Sequence, residues 1–205
     1  MSSRDVARRA QARSLPAFAE LVTRYERRLF NFLLRRVPCA ADAEDIAQEA
    51  FLRAWQSIDR YDPTWEFSTW LYTIARRLAA NELAAARRRA RYQPATGVHG
   101  QSTDPAQIVA DRESQTNLWT IAQRVLNPDQ QTALWLRYSE QMSVQDIAAI
   151  LGRTGVSVRV LMFRARRAIA DEMTQTSGIR QSVRIKPYSL PEPKLPTARV
   201  VGGLR

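Results

Sequence analysis

Between Val156 and Arg167 the sequence sets cations among apolar residues at helical spacing. Val156, Arg159, Val160, Phe163, Arg164 and Arg167 fall on one side of a helix there. Guanidinium groups anchor phosphates or reach guanine edges, and apolar groups meet thymine methyls, so this surface has the chemistry to read duplex DNA. Arg166 flanks it. A second group lies at residues 60–70, where Tyr61, Trp65, Phe67 and Trp70 crowd a loop and a helix start. Cations follow at Arg76, Arg77, Arg87, Arg88, Arg89 and Arg91. Planar faces beside positive charge suit unstacked bases and their backbone. The competing reading makes Trp65, Phe67 and Trp70 a plug in the core under the loop. A third group, Asp45, Gln48, Glu49, Leu52 and Gln56, shares one helical face opposite an apolar one, and a solvated face explains it equally well.

Other chemistry is poorly supplied. Cys39 is the only cysteine and His99 the only histidine, so an internal disulfide and a Cys/His zinc cluster are both excluded. No metal or cofactor is expected. Asp42, Glu44, Asp45 and Glu49 sit at a helix start and on a polar face without converging partners, unlike a metal-nuclease site. There is no Gly-rich phosphate loop, and the chain is not expected to be an enzyme. Cys39 itself predicts a small buried or half-buried residue, and its solitary occurrence fits a reducing cytoplasm.

The elements that must position these groups are helices. Residues 16–37 carry Phe18, Leu21, Val22, Tyr25, Leu29, Phe32 and Leu33 at helical spacing, ended by Pro38. A second helix is predicted from Ala41 to Ile58, with acidic residues in its first turn where the helix dipole favours them. Residues 59–66 read as a loop, and a third helix runs from Ser68 toward Arg91. Pro94, Gly97, Gly100 and Pro105 mark a linker. Helices resume over 106–126, 128–139, 143–151 and 154–172. Pro187, Pro191, Pro193 and Pro196 leave 174–205 as an extended or disordered tail. Residues 1–13 alternate small and basic residues without an apolar run, unlike a secretory signal. No stretch of 18 apolar residues occurs, so no helical membrane insertion is expected.

The predicted fold class is therefore all-α: two small helical domains, 1–92 and 117–173, joined by a flexible linker at 93–116 and followed by the tail 174–205. The net charge of +11 divides as +6 over 1–92, −2 over 93–116, +2 over 117–173 and +5 over the tail. Two basic blocks around an acidic connector point to a polyanionic partner, nucleic acid first. In the second block Ser143 to Asp146 reads as a capping box, with Ser143 accepting an amide hydrogen bond and Asp146 reaching back. Gly152 supplies a left-handed stop, and Thr154 caps the next helix. A short capped helix, a glycine turn and a basic helix make a helix-turn-helix.

Three stretches together resemble a known family. Asp42-Ala-Glu-Asp-Ile-Ala-Gln-Glu-Ala-Phe51 with Trp55 is similar to the second region of extracytoplasmic-function (ECF) sigma factors of bacterial RNA polymerase. Phe67-Ser-Thr-Trp-Leu-Tyr-Thr-Ile-Ala-Arg76 resembles the family's promoter-melting, −10-reading helix. Asp129 through Arg166 resembles its fourth region, with Leu136-Arg-Tyr138, Ile147-Ala148, Leu151-Gly152 and Phe163-Arg-Ala-Arg166. The likeness covers residues 17–92 and 118–172. It implies that Asp45, Gln48, Glu49 and Leu52 dock on the clamp helices of the polymerase's largest subunit, with the flap as a further contact. It implies that Trp65, Phe67 and Trp70 shape a pocket for a flipped −10 base, with Arg77 and Asn81 alongside. Thr154, Ser157, Arg159, Val160, Phe163, Arg164 and Arg167 would face the −35 element. Promoter DNA, core RNA polymerase and a candidate anti-sigma factor are the implied partners. Two positions depart from the pattern: Arg77 replaces a frequent Asn, and Leu161 replaces a frequent Arg. A stand-alone helix-turn-helix regulator remains the alternative; it accounts for the second block but not for the acidic-then-aromatic order of 42–70.

Overall fold

The computed structural model describes residues 1–92 and 111–176. Eight α-helices and one 3-10 turn, without strands, make up the secondary structure of these residues. The first block holds α1 (Ser3–Gln11), α2 (Leu15–Leu34), α3 (Ala40–Gln56), a 3-10 turn (Ile58–Arg60) and α4 (Phe67–Tyr92). The second holds α5 (Asp111–Val125), α6 (Pro128–Tyr138), α7 (Val144–Leu151) and α8 (Gly155–Thr176).

Apolar periodicity explains the core of each block. Along α2, Phe18, Leu21, Tyr25, Leu29, Phe32 and Leu33 are all buried. They meet Ala43, Ile46, Ala50, Phe51 and Ala54 of α3 and Phe67, Leu71, Tyr72 and Ala75 of α4. Small residues along α3 let it lie close to its neighbours, and the Phe32 and Tyr72 rings meet edge to face at 4.9 Å. In the second block Leu136, Ile147, Ile150, Val158 and Ala165 are buried together.

Several expectations need correction. Helix α1 adds to the expected elements: the first thirteen residues are mostly helical, because Ser2 and Asp5 form a reciprocal capping box and Val6, Ala7 and Ala10 are buried. Cys39 is exposed, not buried; its sulfur caps α3 by accepting from the Asp42 amide at 3.4 Å. The second predicted helix stops at Gln56 and the chain tightens into the 3-10 turn. At α7, Ser143 accepts from the Asp146 amide as expected. Asp146 does not complete the box, however: its carboxylate accepts from the Ser143 hydroxyl at 2.5 Å and from Thr69 of α4 at 2.9 Å. Helix α5 begins at Asp111, inside the stretch read as linker, and α8 continues to Thr176, inside the stretch read as tail. The remainder of both stretches, 93–110 and 177–205, lies outside the described residues.

Candidate nucleic-acid interface

The turn that aims α8 depends on one glycine. Gly152 has φ +64°, and its amide closes on the Ala148 and Ala149 carbonyls to end α7. A side chain is strained at that dihedral, so glycine lets the chain reverse within three residues. Thr154 Oγ1 then accepts from the Ser157 amide at 3.2 Å and starts α8. Val158, Met162, Ala165 and Ile169 turn inward and are buried, with Leu161 half-buried beside them. On the outer side Val156 is 68% exposed, Val160 44% and Phe163 52%. Those values matter, because water contact on three large apolar groups of one face is unfavourable unless something else covers it.

The cations on this face differ in their company. Arg166 donates to the Tyr138 hydroxyl at 3.1 Å, and Arg167 lies 3.9 Å from Asp171. Arg159 and Arg164 are exposed, and no carboxylate among the described residues forms an ion pair with either. A phosphate or base edge would therefore displace no existing ion pair at these two positions.

The aromatic group of 60–70 divides. Phe67 is fully buried, 5.7 Å from the Tyr25 ring, 5.8 Å from Tyr61 and 5.9 Å from Trp70. It forms the wall of the cluster and offers no free face. Trp70 is half-buried, whereas Trp65 is 40% exposed at the loop tip. Tyr61 is a member that the sequence reading counted but did not select. Its hydroxyl donates to the Trp65 carbonyl at 2.7 Å, and burial, with Glu66 adding to it, pushes the phenol up to about 12. Tyr61 thus stays a neutral donor that ties the Trp65 backbone to the core.

Helix α4 presents two adjacent faces, built from steps of four and seven residues, which are about one and two helical turns. Trp70, Arg77 and Asn81 share the first, on which Arg77 and Asn81 are exposed. Thr69 and Arg76 share the second, which is given to the other block. Thr69 bonds Asp146, and Arg76 donates to Asp129 at 3.0 Å. Arg28 meets the buried Glu140 at 2.6 Å, and Arg36 donates to Thr132 at 2.8 Å. Arg35 stacks over Trp119 and Trp135 at 5.6 and 5.1 Å. Docking of the second block therefore leaves Trp65, Arg77 and Asn81 uncovered. On α3, Asp45, Gln48 and Leu52 are exposed, while Glu49 is half-buried and holds Arg53 one turn on at 2.6 Å.

The block-to-block contact is electrostatically mixed. Burial pushes the Arg36 guanidinium down to about 10, helped by Arg76 and opposed by Asp129. Burial by itself would raise the Asp129 carboxyl, but hydrogen bonds from Arg153 and Arg76 outweigh it and hold the group below the usual range. A depressed carboxyl stabilises the contact above its unfolded pKa of about 3.9 and loses that contribution as pH falls through the folded value. The contact is accordingly expected to loosen in acid below about pH 4. Trp119 and Trp135 emission, followed by pH titration, reports it; an unchanged profile in Asp129→Asn would assign the transition to other carboxylates.

Comparison with known proteins follows the same division. Residues 21–89 match Sigma-70 region 2, and residues 124–169 match Sigma-70, region 4. The RNA polymerase sigma-H factor of Pseudomonas aeruginosa is 34% identical over 170 residues, which cover 78% of this chain and 88% of that protein. The ECF RNA polymerase sigma factor BldN of Streptomyces coelicolor is 31% identical over 168 residues, covering 81% of this chain and 64% of that protein, so the chain spans less than two thirds of BldN. The sigma factor RpoE from Bartonella quintana, solved with the anti-sigma factor NepR, aligns with a TM-score of 0.65 at 20% identity. That alignment covers 80% of this chain and 98% of RpoE, and it shows a shared fold.

Proposed function

The chain belongs to the ECF sigma factors, which recognise promoters in transcription initiation, and on that footing we propose a division of labour between its two blocks. The first block, residues 1–92, docks on core RNA polymerase and handles the −10 element; the second, 117–173, reads the −35 element through α8. The observation that carries the reading is the outer face of α8, where Arg159 and Arg164, without an ion pair among the described residues, stand among exposed Val156, Val160 and Phe163. Thr154 and Ser157 at its N-terminus and Arg167 near its middle supply the flanking phosphate contacts. The protein acts by binding, in the cytoplasm, and catalyses nothing itself. Run-off transcription from genomic fragments with purified core polymerase tests the whole reading. Transcripts that start at discrete sites only when this chain is added support it, and none would overturn it.

The core-binding surface is the exposed stripe of α3. Asp45, Gln48 and Leu52 face solvent beside Glu49, and acidic groups at the rim of an interface set steering and register against a cationic partner. The double charge reversal Asp45→Lys and Glu49→Lys is expected to weaken association with core polymerase while helix content stays intact. Among the described residues the reversal breaks one ion pair, Glu49–Arg53, a contribution of about 0.3–0.5 kcal/mol. Wild-type co-elution of the double variant with core enzyme would remove the stripe from the interface.

Strand opening falls to the loop tip. Trp65 offers an exposed indole at the loop tip, Trp70, Arg77 and Asn81 share one face of the helix that follows, and Phe67 is buried. Trp65→Ala is expected to spare closed-complex formation and slow opening, since a stacking face is worth about 1–3 kcal/mol per base. Permanganate reactivity of promoter thymines measures this, and opening at the wild-type rate would make Trp65 a surface residue without that role.

A further inference from the structure

Helix α1 precedes the matched Sigma-70 region 2, which begins at residue 21, and none of its residues takes part in the division of labour above. A nine-residue helix does not persist by itself in water, so tertiary contacts hold it. Its apolar side supplies some of them, with Val6, Ala7 and Ala10 fully buried against α2. Its polar side chains reach further: Ser3 accepts from Arg24 of α2 at 3.4 Å, while Arg4 and Gln11 reach one segment, residues 58–66.

Gln11 is half-buried and donates through one Nε2 to two main-chain carbonyls, Ile58 at 3.2 Å and Tyr61 at 2.6 Å. These carbonyls bracket the 3-10 turn, in which the Tyr61 amide already donates to Ile58 O at 3.1 Å. Arg4 forms an ion pair with Glu66 at 2.7 Å at the far end of the loop. Arg13, just past α1 in the left-handed region at φ 60°, pairs with Asp59 and lies over the Trp55 ring at 5.7 Å. The loop's own bonds continue the chain of restraint. Asp62 accepts from the Thr64 amide at 2.9 Å through its side chain and from the Trp65 amide at 3.1 Å through its carbonyl, and Tyr61 holds Trp65 O. The tip carrying Trp65 is thereby fastened at its start, middle and end.

We propose that α1 is a brace for the promoter-opening loop, with Gln11 as its central positioning residue; this rests on the assignment of Trp65 to strand opening. Gln11 touches no DNA. It fixes the backbone from which Trp65 projects, so that the indole does not have to be ordered at the moment a base leaves the stack. Ordering beforehand favours the step that needs the geometry, as pre-organised binding surfaces do. Arg4 is half-buried and Arg13 exposed, and both act through ion pairs that water screens in part, whereas Gln11 bonds backbone directly.

The test uses the full chain, alone and with core polymerase on a promoter fragment recovered by run-off transcription. Gln11→Met keeps length and apolar volume but removes the donor; Gln11→Lys restores a donor to the same two carbonyls. Hydrogen exchange of the Tyr61 and Trp65 amides is expected to speed up in Gln11→Met and to return toward wild type in Gln11→Lys. Strand opening in Gln11→Met is expected to slow by about two- to tenfold, the equivalent of one hydrogen bond, with closed-complex affinity unchanged. In a Trp65→Ala background the Gln11→Met change should add little. Unchanged exchange at both amides overturns the brace, as does an equal slowing in the Met and Lys variants. Loosened amides with normal opening also overturn it if Trp65→Ala opens slowly. If Trp65→Ala opens normally as well, the assignment of the loop to opening falls, and the brace falls with it. A thermal midpoint lowered alike in both variants would mark Gln11 as a general support for α1 and reject a specific role.

Discussion

Replacing Phe67 by alanine is expected to lower the stability of the first block by about 3–5 kcal/mol. The ring is fully buried and touches Tyr25, Tyr61 and Trp70, so its removal leaves a cavity between α2, the loop and α4. The neighbours are large aromatic rings held by helix backbones, and they can close such a gap only in part. Phe67→Leu, which keeps most of the volume, should cost less than about 1.5 kcal/mol if the site repacks. Urea denaturation of the two variants measures the difference. A loss below about 0.5 kcal/mol for Phe67→Ala is what a surface position shows, and it would put Phe67 back among the DNA-facing residues. The same substitution tells the loop aromatics apart, because Trp65→Ala removes an exposed group and should leave the denaturation midpoint nearly unmoved.

Arg159→Ala is expected to reduce binding to the cognate −35 sequence by about 1–3 kcal/mol and to relax preference at a single base pair. Arg164→Ala serves as its comparison. Both side chains are exposed and form no ion pair among the described residues, so neither truncation disturbs a pair within them. A residue that reads a base edge loses discrimination at its own position. A residue that contacts only phosphate weakens all sequences alike and lowers the salt slope by about 0.9 per contact. Selection of binding sequences for each variant, repeated at two salt concentrations, separates these behaviours. Wild-type protection of the −35 region in both variants would remove α8 from the groove. Arg166 is a weaker candidate for base reading, since its guanidinium already donates to the Tyr138 hydroxyl.

Much of this was legible along the chain because it is written in local rules. A helix of 3.6 residues per turn places Val158, Met162, Ala165 and Ile169 inward and Arg159, Phe163 and Arg164 outward whatever surrounds it. The left-handed stop at Gly152 and the cap at Thr154 are likewise three-residue events, and both are present. The all-helical class and the order of the two blocks follow from the same periodicities. Helix α1 had a local signal too, Ser2 with Asp5 three residues on, but its apolar side is three small or branched residues among arginines, and composition hid it.

What the order of residues left open was which side of an ambivalent group faces water. Trp65, Phe67 and Trp70 are alike in hydropathy and lie within six positions; only the closing of α2 and α4 around Tyr61 makes Phe67 a wall and Trp65 a tip. Cys39 reads as a buried residue by type, yet it caps α3 in water because the chain turns there. Asp146 has a local partner at Ser143, and a partner 77 positions away takes its second oxygen. Gln11 carries no pattern at all. A polar side chain of one helix meeting two carbonyls about fifty residues later is a consequence of tertiary approach, and no local propensity encodes it. Periodicity determined which faces this chain would bury, and the packing of helices distant in sequence decided which side chains were left to do the work.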